Sequence, residues 1–268
     1  MNSSSLSISY DELPLWSAPF GLTLLDTILM KPGMNVLDIG SGSGFPMLEI
    51  AGRLGKSGMV YGLDPSGDSV AMINSKKEAR NIDNARIIKG SAEEIPFPDE
   101  YFNLIVSNNG INNVADQGKV FSECYRVCDH DSQLVFTVNL PHTMIEFYDI
   151  FGSTLSELGL TDEIKKMEDH ISDKRKPVDY LKGLVMANGF SVNAITVYGF
   201  KLRYTDGTAF FNNYFIRKAF MNPWKAILPE HVCDTVFKAM EEKLNSIAKE
   251  TAGLAFSVPY ACFDCRKT

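Results

Sequence analysis

The sequence predicts a doubly wound α/β protein, an open and mostly parallel sheet with helices on both faces. Two observations carry this. Short apolar strands and amphipathic helices alternate from residue 35 to residue 139. The first strand, Asn35-Val36-Leu37-Asp38-Ile39, also runs straight into Gly40-Ser41-Gly42-Ser43-Gly44, with a helical pattern behind it. A strand, a glycine loop and a helix N-terminus in that order form a nucleotide-type site.

The elements follow in order. Residues 1–12 hold no core-forming pattern, and Ser3-Ser4-Ser5 predicts a mobile start. Phe20, Leu24, Leu25, Ile28 and Leu29 lie at helical spacing, and Lys31-Pro32-Gly33 stops that helix. A helix over 45–54, a strand over 59–63 ending at Asp64, a helix over 69–81 and a strand over 85–89 come next. A strongly apolar strand over 101–107, a helix over 117–127 and a strand over 133–139 complete the alternation. The second half differs. Helices are expected over 143–158, 162–171, 178–188, 207–220 and 230–249, with strands over 191–198 and 254–263. This gives seven strands.

A bare doubly wound domain needs roughly 150–200 residues. The surplus of this 268-residue chain is assigned to two helical insertions, about 141–177 and about 203–252. Inserted after the later strands, they would cap an active site at the carboxyl ends of the sheet, where such folds bind ligands. The expected organisation is an N-terminal lid and first helix (1–30), a ligand-binding core (31–140), and the rest of the sheet with its insertions (141–268).

Charge and composition exclude several classes. There are 33 acidic and 26 basic residues, a net charge of −7. No basic surplus exists to displace counterions from a nucleic acid or to dock on anionic lipid. Five cysteines without a regular framework suit a reducing cytoplasm. The N-terminus lacks the basic and apolar regions of a signal peptide, and no apolar run approaches the ~20 residues of a membrane span. Oligomeric state, monomer or homodimer, is not legible.

The glycine spacing is G-x-G-x-G, not the G-x-G-x-x-G that seats a pyrophosphate, and Phe45 stands at the third fingerprint position. Asp38 brings negative charge to the loop, which suits a cationic ligand. Residues 36–44 resemble the first motif of class I S-adenosylmethionine-dependent methyltransferases. Gly62-Leu63-Asp64-Pro65-Ser66 resembles their ribose motif. Gly90-Ser91-Ala92-Glu93-Glu94-Ile95-Pro96-Phe97 is similar to the loop beside the adenine, and residues 102–107 are similar to the following strand. The likeness is to the small-molecule branch that includes the ubiquinone and menaquinone methyltransferases. It implies a Rossmann-like methyltransferase fold. Ser91 and Asn103 stand where that family usually has Asp, and residues 108–113 replace a segment that often ends in His-His.

The resemblance implies S-adenosylmethionine as cofactor and S-adenosylhomocysteine as product. Its cofactor contacts would be Asp38, Gly40, Ser41, Gly42, Gly44, Asp64, Pro65, Ser66, Ser91, Ala92, Glu93, Asn108 and Tyr10. The Asp64 carboxylate can accept from both ribose hydroxyls; as a structural residue it would cap the following turn. The segment with Tyr10 and Trp16 is expected over the methionine end, where an aromatic face attracts a sulfonium, or else it staples the first helix. Trp16 is also expected to face the substrate, and Asn109, Asn112 and Asn113 offer it uncharged donors and acceptors, although asparagine is equally a turn residue. Tyr214, in the aromatic run 210–215, is either substrate wall or helix packing. His142 could take a proton from a hydroxyl nucleophile; its plainer reading is an exposed helix start. No Asn-Pro-Pro-Tyr occurs, which disfavours methylation of an amide or base nitrogen. Cys262 and Cys265 make half of a zinc site with no matching pair, so no metal is expected.

The expected function is methyl transfer to a small-molecule acceptor, with no nucleic-acid partner. The alternatives are an S-adenosylmethionine-binding sensor or carrier without transfer, and a nicotinamide-dependent dehydrogenase.

Overall fold

The computed structural model describes residues 15–267. Tyr10 and the rest of the expected mobile start lie outside the described residues. Contacts divide the chain into two compact units. Among the described residues, the first contains 15–139, Pro177–Tyr198 and 260–267; the second contains Leu140–Lys176 and Gly199–Pro259.

The sheet has seven strands: β1 (Asn35–Ile39), β2 (Met59–Asp64), β3 (Ala85–Lys89), β4 (Phe102–Asn108), β5 (Cys128–Asn139), β6 (Phe190–Tyr204) and β7 (Leu254–Lys267). Their order is β3-β2-β1-β4-β5-β7-β6. The first five are parallel neighbours, and β7 runs antiparallel to β5. The order turns back between β1 and β4, so the loops after β1 and β4 emerge beside each other. That reversal creates a crevice at the carboxyl ends.

Helices α1 (Ala18–Thr27), α2 (Met47–Leu54), α3 (Gly67–Arg80), α4 (Gln117–Val127) and, in this same unit, the helix Val178–Ala187 surround the sheet. Leu24, Val36, Met47, Ile50, Val60, Ile73, Leu104 and Val106 form one buried cluster on the sheet. Central strands covered on both faces bury side chains of both parities. This is why β4 has no exposed face and why Cys262 and Cys265, three apart on β7, are both buried.

Three local expectations need correction. The helix expected from residue 45 begins at Met47, after Pro46 at the N-cap. The strand expected over 133–139 begins already at Cys128, directly after α4 ends at Val127. The expected helix over 207–220 is broken into Gly207–Asn212, Tyr214–Ala219 and Met221–Lys225. Asn213 explains the first break, because its side chain accepts the N–H groups of Phe215 (3.0 Å) and Ile216 (3.3 Å) and starts a new helix.

The second unit has its own core. Phe147 stacks on Trp224 with ring centroids 4.0 Å apart, and Phe151 and Phe210 pack in the same cluster. The Trp224 indole donates to the Tyr148 hydroxyl at 3.1 Å, and the Arg175 guanidinium lies 5.0 Å over the Tyr148 ring. The aromatic run therefore packs at Phe210, whereas Tyr214 is 76% exposed. Trp224→Ala is expected to destabilise this unit by about 3–5 kcal/mol, measured as a lowered urea midpoint reported by a probe in residues 140–176.

Candidate functional site

The chain after β1 is shaped by glycines at two positions that no other residue fills easily. Gly40 adopts φ +73°, and a Cβ there would meet the Gly110 Cα at 3.0 Å. A Cβ on Gly110 would lie 2.6 Å from the Ile39 carbonyl oxygen. The loops after β1 and β4 thus touch backbone to backbone, and this draws both to the edge of one cavity.

Four of the loop's amides are already committed. The Gly40 and Ser41 N–H groups donate to the Leu63 carbonyl at 2.8 and 3.4 Å. The Gly42 N–H donates to Asp64 Oδ2 at 2.8 Å, and the Gly44 N–H to the Ser41 carbonyl at 2.7 Å. The next helix starts behind Pro46, which has no N–H to give. A pyrophosphate cradle needs such amides free, so this loop is not built as one.

Asp64, at the end of β2, is buried to 7% exposure. Its Oδ1 accepts the Ser66 N–H at 3.0 Å while Oδ2 holds Gly42. Each oxygen keeps acceptor capacity beyond these bonds, so the carboxylate is oriented and still able to receive hydroxyls. The sequence expectation of a turn-capping acid and that of a ligand-binding acid are compatible in this one residue.

A cavity of about 500 Å³ opens here, within the usual size of small-molecule sites. Its described lining includes Trp16, Ser17, Gly40, Gly42, Asp64, Pro65, Ser91, Ala92, Glu93, Asn108, Asn109 and Asn113. Two carboxylates stand in that lining and, among the described residues, no lysine, arginine or histidine. The electrostatics favour a ligand with positive charge.

The loop after β3 is fixed by Glu93. Its carboxylate accepts the Ser91 hydroxyl (2.5 Å) and the N–H groups of Ala115 (2.9 Å) and Asp116 (3.0 Å). The Ser91 hydrogen bond is the main reason that its pKa lies below the ordinary value, with the backbone amides adding to it. Asn103, the other departure from the family pattern, accepts the Asn35 N–H at 2.9 Å at the opposite end of the sheet.

The asparagines after β4 divide into different roles. Asn108 is anchored at both ends of its amide, its Nδ2 donating to the Ser17 carbonyl (3.2 Å) and its Oδ1 accepting from the Thr137 hydroxyl (3.1 Å). Asn109 sits at φ +59° and lines the cavity. Asn112 is buried behind it and donates to Asn109 Oδ1 at 2.6 Å and to Asn139 Oδ1, leaving its own Oδ1 buried without a partner.

Asp38 lies beneath the loop, not in the cavity lining, and is fully buried. Neither carboxylate oxygen has a hydrogen-bond partner, and the Ser41 hydroxyl donates to the Asp38 main-chain carbonyl instead, at 3.0 Å. Burial pushes this carboxyl up to about 7, and the Asp64 charge adds to the effect.

Of the residues expected around a cofactor, the structure brings Gly40, Gly42, Asp64, Pro65, Ser91, Ala92, Glu93 and Asn108 to one cavity. Ser41, Gly44 and Ser66 shape the loops without lining it. Trp16, Asn109 and Asn113, expected around a substrate, line the same cavity. Asn112 does not, and Tyr214 and His142 belong to the second unit, where His142 is exposed. Sequence reading missed Lys76, whose Nζ donates to the Ser43 carbonyl at 2.6 Å and clamps the glycine loop from α3. No sequence signal marks it, because its partner is a main-chain carbonyl on another element and Lys77 beside it carries the same charge.

Comparison with known proteins adds an independent line. Residues 30–176 match the family described as "Methyltransferase domain". A demethylmenaquinone methyltransferase of Bacillus mycoides (strain KBAB4) is 33% identical over 118 residues, covering 44% of this chain and 50% of that protein. The chain thus spans about half the length of the curated relatives it matches. Among solved structures, the YcgJ protein of Bacillus subtilis superposes with a TM-score of 0.62 at 16% identity, covering 93% of this chain and 98% of that one. Haemonchus contortus phosphoethanolamine N-methyltransferase 2, solved with S-adenosyl-L-methionine, gives 0.55 at 19% identity, covering 92% and 52%. At such identities the two structural likenesses concern the fold alone.

Proposed function

The chain belongs to the methyltransferase-domain family, and from that premise we propose that it transfers the methyl group of S-adenosylmethionine to a small-molecule acceptor, leaving S-adenosylhomocysteine. The observation that carries this reading is the cavity wall. A glycine loop closed on itself is tied to an oriented Asp64, with two carboxylates and no cation among the described lining residues. This wall fits a cationic, ribose-bearing ligand and does not fit a dinucleotide pyrophosphate.

The bound cofactor supplies a methyl group already activated on a sulfonium, transferred by in-line displacement. The chain supplies orientation and dryness. Asp64, pinned through Gly42 and Ser66, would receive the ribose hydroxyls. The 91–93 loop, held by Glu93 on residues 115–116, would flank the adenine. Trp16 would present its ring near the charged sulfur. No amine or imidazole stands in the described lining to accept a proton. The two carboxylates in that lining, Asp64 and Glu93, are engaged by Gly42 and Ser66 and by Ser91, Ala115 and Asp116, so the fitting acceptor brings a nucleophile that is already ionised or that loses its proton to water. The net charge of −7 favours a small acceptor over a nucleic acid.

The test is turnover. The protein is incubated with labelled S-adenosylmethionine and a panel of small oxygen, carbon, sulfur and amine nucleophiles, and S-adenosylhomocysteine release is measured. Release that depends on one acceptor class, and is lost in Asp64→Ala, is the expected result. Tight cofactor binding with no release for any acceptor would replace this reading with the sensor or carrier.

A further inference from the structure

The geometry points to Asn109 as the residue that holds the carboxylate of the cofactor's methionine end, through the two N–H donors of its side-chain amide. The inference rests on S-adenosylmethionine being the ligand, and it begins with which way that amide faces. Asn109 Oδ1 accepts the main-chain N–H of Asn139 at 3.0 Å. A main-chain N–H can only donate, so the atom it meets must be the amide oxygen. The Asn112 amide donates to the same oxygen at 2.6 Å. The nitrogen of Asn109 is thereby turned away from both, and it makes no hydrogen bond among the described residues. Asn109 itself lines the cavity.

Three further observations favour a carboxylate as what this donor pair meets. No cation stands in the described lining, so an anionic group entering the cavity must be received by neutral donors. The neighbouring Asn108 has one of its two amide N–H donors held by the Ser17 carbonyl and its oxygen held by the Thr137 hydroxyl, so at most one of its donors faces the cavity. The distance also fits. Asp64 ends β2 and Asn109 follows β4, and β1 lies between them, so two strand spacings, about 10 Å, separate the two positions. An extended chain from a ribose hydroxyl through the sulfur to the amino-acid carboxylate spans roughly 10 Å. A ribose on Asp64 therefore places its carboxylate at Asn109.

The test is calorimetric binding of S-adenosylhomocysteine and of its decarboxylated analogue, which differs only at the group in question. The variants are Asn109→Asp and Asn109→Gly. Aspartate keeps the oxygen that accepts the Asn139 N–H and tolerates the left-handed backbone; glycine tolerates that backbone without any side chain. Thermal melting is recorded for each. Both variants are expected to bind S-adenosylhomocysteine at least about tenfold more weakly than wild type, and Asn109→Asp more weakly still. Binding of the decarboxylated analogue should stay within about threefold. Unchanged affinity for S-adenosylhomocysteine, or an equal loss for both molecules, overturns the assignment. A wild-type protein that binds neither molecule overturns the proposed function instead, and this assignment with it.

Discussion

Asp64→Ala is expected to weaken binding of both S-adenosylmethionine and S-adenosylhomocysteine by about a hundredfold or more. Two effects combine. The variant removes the carboxylate proposed to receive the ribose hydroxyls, and hydrogen bonds to a charged group contribute about 1.5–3 kcal/mol each. It also releases the Gly42 N–H, held at 2.8 Å, and the Ser66 N–H, held at 3.0 Å, so the glycine loop loses its tether to β2. The loss should be shared equally by the two ligands, because they carry the same ribose. Equilibrium dialysis on the folded variant, verified by circular dichroism, checks this. Wild-type affinity in a folded Asp64→Ala protein would remove Asp64 from the site.

Asp38→Asn is expected to make the protein more stable at pH 8 and to flatten its stability between pH 5 and pH 8. The folded carboxyl is raised from 3.8 to about 7 by burial, so the folded state holds the proton more tightly than the unfolded chain does. The sign follows from that. The stabilisation is complete below about pH 3.8 and is lost as the pH rises toward 7. A shift of about 3 units corresponds to roughly 4 kcal/mol between those limits. His170 acts in the opposite direction, because burial lowers its pKa and its stabilisation is lost as the pH falls. The difference between wild type and variant cancels that contribution. Urea unfolding at pH 5, 6, 7 and 8 measures both slopes. Parallel slopes for the two proteins would mean that Asp38 is ionised throughout and finds compensation on folding.

The same residue illustrates what the sequence conveys and what it withholds. Strand β1 and the glycine loop were legible because their chemistry is local: alternation sets the sheet, and only glycine tolerates the turns. Asp64 was legible from its place at a strand end. Asp38 was read as a loop or cofactor acid. Its isolation under the loop depends on Asp64, Ser41 and the start of α2 closing over it, which spacing does not encode. The asparagines carried a weaker signal. Four of them in six residues pointed to function, but whether each amide faces a neighbour or the cavity was decided by Ser17, Thr137 and Asn139, the last two on another strand. Lys76 was invisible as a clamp because its partner is a main-chain carbonyl 33 residues away. The extents of β5 and β6 were underestimated because polar residues at their exposed ends interrupt the apolar runs by which strands are recognised.

The central claim is that the cavity between the β1, β2 and β4 loops takes S-adenosylmethionine. The most direct measurement is a calorimetric titration of the wild-type protein with S-adenosylhomocysteine and, separately, with a nicotinamide dinucleotide. A single saturable site for S-adenosylhomocysteine, with no heat from the dinucleotide, is the predicted result. Binding of the dinucleotide with none of S-adenosylhomocysteine would contradict it, because a loop with four of its amides already committed would then be receiving a pyrophosphate.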